Sequence, residues 1–144
     1  MTVAPTADAP LTRNQTLVLE ALAAAPVPLG AYALLDRLRD QGLRAPAQVY
    51  RALDRLQARG LVHRLETLNA FVACREAHRA EGPVVFVICE HCGRARELTD
   101  EVIGGRLRGL AAEAGLALHS SSVELRGTCA ACGRTAAGTD PETR

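Results

Sequence analysis

Two short cysteine pairs, Cys89-Glu90-His91-Cys92 and Cys129-Ala130-Ala131-Cys132, are the residues whose type and spacing speak most directly of chemistry. In a CxxC pair both sulfurs can turn back on one ion, and two pairs supply the four thiolates that close a tetrahedral zinc shell. A structural zinc site is the expectation. Two disulfides or redox-active dithiols are the competing assignment, against which the regular spacing and a reducing compartment both argue. The gap between the pairs exceeds the roughly 15–20 residues of a compact zinc ribbon. The ion should therefore staple the two ends of an α/β unit without itself being the fold.

A second set of donors is more scattered. Cys74, the one cysteine outside the pairs, ends a strand-like run, His63 sits in the run before it, and Glu97 follows the first CxxC by five residues. One thiolate, one imidazole and one carboxylate suit Zn²⁺, whereas hard-oxygen metals such as Mn²⁺ or Mg²⁺ would not call for the sulfur. Taken singly, each has an ordinary role: a small buried apolar cysteine, a surface histidine, a solvated glutamate.

The third group is basic. Between Pro46 and Gly60, Val49, Leu53 and Leu56 fall on one side of a helical wheel, with Ala47, Arg51, Arg55 and Ala58 on the other. Two like charges one turn apart cost an isolated helix a few tenths of a kcal/mol, which a polyanion would offset. Small Ala47 and Ala58 let the backbone enter a major groove, where a guanidinium forks onto guanine O6 and N7. Gln48 and Tyr50 flank this face, and Tyr32, earlier in the chain, is placed to reach the DNA backbone. The ordinary alternative is a solvated face with Arg51 paired to Asp54; the order of the surrounding elements decides against it.

Those elements read as follows. Residues 1–10 form an irregular tail. Thr12-Arg13-Asn14-Gln15 fits a capping box opening a first helix that Pro26 and Pro28 stop. A second helix carries Ala31, Leu34, Leu35 and Leu38 on one face and ends at Gly42; a third starts at Pro46 and ends at Gly60. Leu61–Glu66 and Ala70–Cys74 then make a hairpin. Three helices followed by a hairpin is the order of a winged helix-turn-helix, over residues 11–74. Residues 75–83, with Gly82-Pro83, form a hinge. A small α/β domain follows over 84–134: a strand at Val84–Ile88, a second at Ala95–Thr99, a helix capped by Asp100 and ending at Gly115, and a strand over Leu116–Arg126. The tail, polar from Gly133, covers 135–144. The fold class is thus α+β.

Composition narrows the function. Net charge is only +1, so any basic surface must come from local patterning. All seventeen basic residues are arginine. No signal peptide, lipidation motif or apolar run near the ~18 residues of a membrane span is visible, so a cytoplasmic protein without membrane contact is expected. A zinc deaminase would need HxE ahead of a PCxxC; neither pair has them, and no enzyme or small-molecule substrate is expected.

The chain resembles the ferric uptake regulator family, and within it the zinc uptake regulators. The likeness is carried by Leu11-Thr12-Arg13, Val49-Tyr50-Arg51-Ala52-Leu53, Gly60-Leu61-Val62-His63, Phe86-Val87-Ile88-Cys89-Glu90-His91-Cys92-Gly93 and Cys129-Ala130-Ala131-Cys132. The resemblance implies a homodimeric, metal-dependent repressor of zinc uptake genes that binds double-stranded operator DNA, with an N-terminal winged helix and a C-terminal dimerisation domain. It implies one structural zinc per subunit, at Cys89, Cys92, Cys129 and Cys132, and one regulatory zinc. His63, Cys74 and Glu97 match three regulatory ligands. The fourth does not match: the family's hinge histidine falls near Gly82, whereas the only hinge imidazole here is His78, which is the expected fourth ligand if the hinge takes a different path, with water, His91 or His119 as alternatives. The iron, manganese and peroxide sensors usually carry a His-rich run before the first CxxC; Gly82-Pro83-Val84-Val85 has none, which favours zinc. The remaining rival is a zinc-stapled protein-interaction module that does not bind DNA.

Replacing Arg51 with Ala is expected to weaken binding to the operator by about 1–3 kcal/mol and relax base preference; unchanged affinity in a gel-shift titration at fixed salt would contradict this.

Overall fold

Thr12 sets the first helix. Its hydroxyl accepts the Gln15 N–H at 3.2 Å and the Gln15 side chain accepts the Thr12 N–H at 3.1 Å, so α1 (Arg13–Ala24) opens with the reciprocal cap its sequence calls for. The helix stops where Ala25, the residue before Pro26, turns to extended backbone, because the proline ring disfavours helical geometry in its predecessor. The structure, a computed structural model, describes residues 9–74 and 84–136. The chain divides into two compact units, Met1–Arg79 and Ala80–Arg144; the expected hinge at 75–83 lies outside the described residues.

In the first unit, α2 (Ala31–Leu38) buries Ala31, Leu34, Leu35 and Leu38. One 3-10 turn, Arg39–Gln41, then ends at Gly42 with φ of +106°. Glycine is required there by the backbone angle, which is hostile to side chains; a Cβ would also stand 3.3 Å from Arg13 Nη1, the end of a side chain that can give way. Pro46 takes the first position of α3 (Pro46–Ala58), which turns Val49, Ala52, Leu53 and Leu56 inward. These residues join Val18, Leu22, Leu34, Leu38 and Leu43 in one apolar core. The hairpin of β1 (Val62–Leu65) and β2 (Ala70–Ala73) pairs His63 with Val72, and Leu29 adds a short bridge to Phe71 through N–H···O bonds in both directions, at 3.1 and 2.8 Å. Helix, helix, recognition helix and wing follow in the expected order.

The second unit is built on β3 (Val84–Cys89). It pairs antiparallel with β4 (Ala95–Thr99) and parallel with β5 (Ser122–Gly127). Parallel neighbours need a crossover, supplied by α4 (Glu101–Glu113), whose first N–H groups, those of Val102 and Ile103, donate to Asp100 Oδ1 at 2.9 and 3.0 Å. Two features differ from the sequence reading. The strand expected over Leu116–Arg126 is confined to Ser122–Gly127, because β3 offers partners to those six residues alone and Leu116 and Leu118 are left exposed. A further helix, α5 (Ala130–Ala136), which the sequence reading did not include, carries the chain past the expected domain boundary at 134.

Leu53 is fully buried at the centre of the first unit. Leu53→Ala is expected to lower its stability by about 2–5 kcal/mol, read as the urea midpoint by circular dichroism; an unmoved midpoint would contradict the core described.

Candidate metal centres and nucleic-acid interface

Parallel pairing of β3 with β5 brings both strands to the same end of the sheet, with Cys89 opposite Gly127. Each CxxC follows there, so the two pairs meet by topology. The four sulfurs of Cys89, Cys92, Cys129 and Cys132 lie within 4.8 Å of one another, and Cys92 Sγ stands 4.0 Å from Cys129 Sγ. A tetrahedron with metal–sulfur bonds of about 2.3 Å has edges of about 3.8 Å, so the sulfurs fit a zinc shell in number, type and spacing. The backbone prepares them for negative charge. Cys89 Sγ accepts N–H groups from His91, Cys92 and Cys129 at 3.3–3.5 Å, and Cys129 Sγ accepts that of Cys132 at 3.5 Å.

These contacts split the thiols. The N–H groups of Cys92 and then Cys129 hold the Cys89 thiol down to about 6. Cys129 is lowered too, chiefly by the N–H of Cys132. Cys132 is pushed up to about 12, first by its side-chain hydrogen bond with Cys129 and then by burial. Without a cation the cluster thus keeps a proton on its last sulfur at neutral pH; a bound zinc would supply the charge that removes it.

In the first unit, the Cys74 N–H donates to the Leu61 carbonyl at 2.8 Å, which extends the wing ladder by one residue. Cys74 therefore stands on the same face as His63, its diagonal neighbour across the strands, and their ligand atoms lie within 4.8 Å of each other. Both are half-buried. A thiolate and an imidazole make half of a tetrahedral shell. Glu97, in the second unit, is half-buried on β4 opposite Phe86. His78 lies outside the described residues. His91 and His119 are exposed, and neither joins a group of three or more metal-ligating side chains among the described residues.

The outer side of α3 carries Ala47, Tyr50, Arg51, Arg55 and Ala58, all exposed, and Tyr32 is exposed in the first turn of α2. No ion pair joins Arg51 to Asp54 among the described residues. Gln48 has a task the sequence reading missed. Ala45, at the cap position, has no side-chain oxygen, and Gln48 Oε1 instead accepts the N–H groups of Arg44 and Ala45 at 2.8 and 3.1 Å. A glutamine three residues after a cap position was the available signal; the alanine in the cap concealed it.

The profile of the Ferric uptake regulator family matches residues 12–126. The chain is 36% identical to the zinc uptake regulation protein of Escherichia coli (strain K12) over 133 residues, 92% of this chain and 78% of that protein. The solved structure of holo XcZur has a TM-score of 0.80 at 41% identity, covering 88% of this chain and 89% of that one. A zinc uptake regulator complexed with zinc and DNA gives a TM-score of 0.84 at 35% identity, covering 90% and 87%.

Because zinc must displace the proton of Cys132 at neutral pH and that of Cys89 below about 6, affinity at the four-sulfur site should fall continuously on acidification and steepen below that value. Competition with a chromogenic chelator across the pH range measures this; a pH-independent affinity would contradict it.

Proposed function

The chain belongs to the ferric uptake regulator family, and from that premise we propose that it is a zinc-responsive transcriptional repressor that binds operator DNA as a homodimer and controls zinc uptake genes. Its relatives are transcription regulators, not enzymes. The observation that carries the choice of zinc is the wing pair, His63 with Cys74, whose sulfur is a poor ligand for hard-oxygen metals. In this reading each subunit holds one structural zinc in the four-cysteine cluster. A second, regulatory zinc takes His63 and Cys74 from the wing and is completed by Glu97 and His78.

The regulatory ion joins residues of the first unit to a residue of the second. Zinc is then a ligand that favours the arrangement competent for DNA over the others, and operator affinity rises by linkage. In a dimer, two α3 helices held about 34–36 Å apart would enter successive major grooves. Arg51 and Arg55, with Tyr50 and Gln48, face the bases, and Tyr32 the backbone. Dimerisation is supported by apolar side chains left exposed on the second unit, among them Val102, Leu116 and Leu125, and by the position of β5 at a sheet edge. No described helix is long and apolar enough to cross a membrane; a repressor of this kind acts in the cytoplasm, where the DNA is.

A regulator responding to iron, manganese or peroxide is the alternative within the family. A zinc-stapled interaction module without DNA binding is the alternative outside it. Salt separates the latter, since phosphate contacts release counterions and give a steep salt slope.

Cys74→Ser should keep its four-sulfur zinc yet lose the stimulation of operator binding by added zinc, which in the parent should amount to roughly 5- to 150-fold. Metal content together with fluorescence anisotropy on labelled duplex measures both. A variant that responds to zinc like the parent would contradict the proposed regulatory site.

A further inference from the structure

We infer that Gln48 reads the operator as a hydrogen-bond donor alone, which excludes the paired contact to adenine and favours guanine, whose O6 and N7 offer two acceptors on one base edge where thymine O4 and adenine N7 each offer one. The inference rests on the DNA-binding reading above and adds a specificity rule to it. Two backbone N–H groups, from Arg44 and Ala45, converge on one atom of the Gln48 amide at 2.8 and 3.1 Å. Only the oxygen can accept them, so the orientation of the amide is fixed by chemistry. Nε2, with its two N–H groups, has no protein partner among the described residues.

Gln48 lies in the first turn of α3, half-buried on the flank of the Arg51 and Arg55 face. Residues in the first turn of a recognition helix are those that meet base edges. Glutamine normally pairs with adenine through both ends of its amide, accepting from N6 and donating to N7. Here acceptance from N6 would pull Oε1 off two N–H groups at the start of a helix whose cap residue, Ala45, has no side chain able to replace it. The donor remains free while the acceptor is committed. Arg51 lies one turn further along the same helix, so its own base and that of Gln48 should be close neighbours in each half-site.

Gln48→Glu separates the two ends of the side chain. A carboxylate keeps the cap, and its charge is favourable near a helix N-terminus, but it has no N–H to donate. The test exposes the zinc-loaded parent and variant to a randomised duplex pool, sequences the bound fraction, and measures affinities on the selected duplexes and thermal midpoints in parallel. The parent should enrich guanine at one position per half-site. The variant should lose that enrichment, bind the parent's duplex about fivefold more weakly, the value of one hydrogen bond of about 1 kcal/mol, and melt no lower than the parent. Selection of adenine over guanine at that position by the parent, which requires acceptance from N6, would overturn the inference. So would a uniform weakening without altered preference, which marks a phosphate contact, or identical selection by both proteins, which marks a cap and nothing more. A parent that selects no sequence overturns the repressor reading and this inference with it; a selected sequence that the variant leaves intact overturns this inference alone.

Discussion

Four sulfurs within 4.8 Å of one another cannot all be thiolates unless a cation stands among them, and the second unit is organised around that constraint. The parallel pairing of β3 with β5 brings the chain out twice at one end of the sheet, and each exit delivers a CxxC. The N–H groups aimed at Cys89 and Cys129 begin the work of stabilising negative charge, but the hydrogen bond with Cys129 and burial push the Cys132 thiol up, so backbone dipoles alone fall short. A divalent ion would complete the neutralisation. It would also close a loop running from β3 through α4 to α5, tying the sheet and its crossover helix by one bond set.

The contrast with the wing is chemical. The four-cysteine cluster holds a full tetrahedral set within one unit, the pattern of a site that stays filled. His63 and Cys74 supply half a set, and an ion there needs donors from elsewhere in the chain. A closed set stabilises a unit; a divided one makes the arrangement of units depend on metal. In the proposed function this difference in completeness separates a structural role from a regulatory one, with zinc in both.

Much of the fold was legible because local chemistry and burial agreed. Thr12 with Gln15, Asp100 before α4, and Gly42 and Gly115 at positive φ all mark helix ends in the sequence and do so in the structure. The inward faces of α2 and α3 follow helical spacing, and the two CxxC pairs meet as their spacing suggested. Where the reading fell short, the deciding information was nonlocal. Leu116 and Leu118 alternate like a strand, but strand length is set by the six residues of β3 available for pairing. The start of α3 has alanine where a capping side chain is expected, so the role of Gln48 appears only once the loop at Arg44 and Ala45 is seen folded over it. The approach of His63 to Cys74 across the hairpin was legible from their places in its two strands; the sequence did not show the register that fixes their shared face, one residue beyond the last pair of the strands.

The central claim is that a second zinc, bound by one sulfur with nitrogen and oxygen, coexists with the four-sulfur ion. Zinc-edge X-ray absorption on the fully loaded protein tests it most directly. One all-sulfur ion and one bound by Cys74, His63, His78 and Glu97 predict an averaged shell with sulfur exceeding nitrogen and oxygen by about five to three. A shell of sulfur alone, or one in equal parts as if the second ion had no sulfur ligand, would contradict the account.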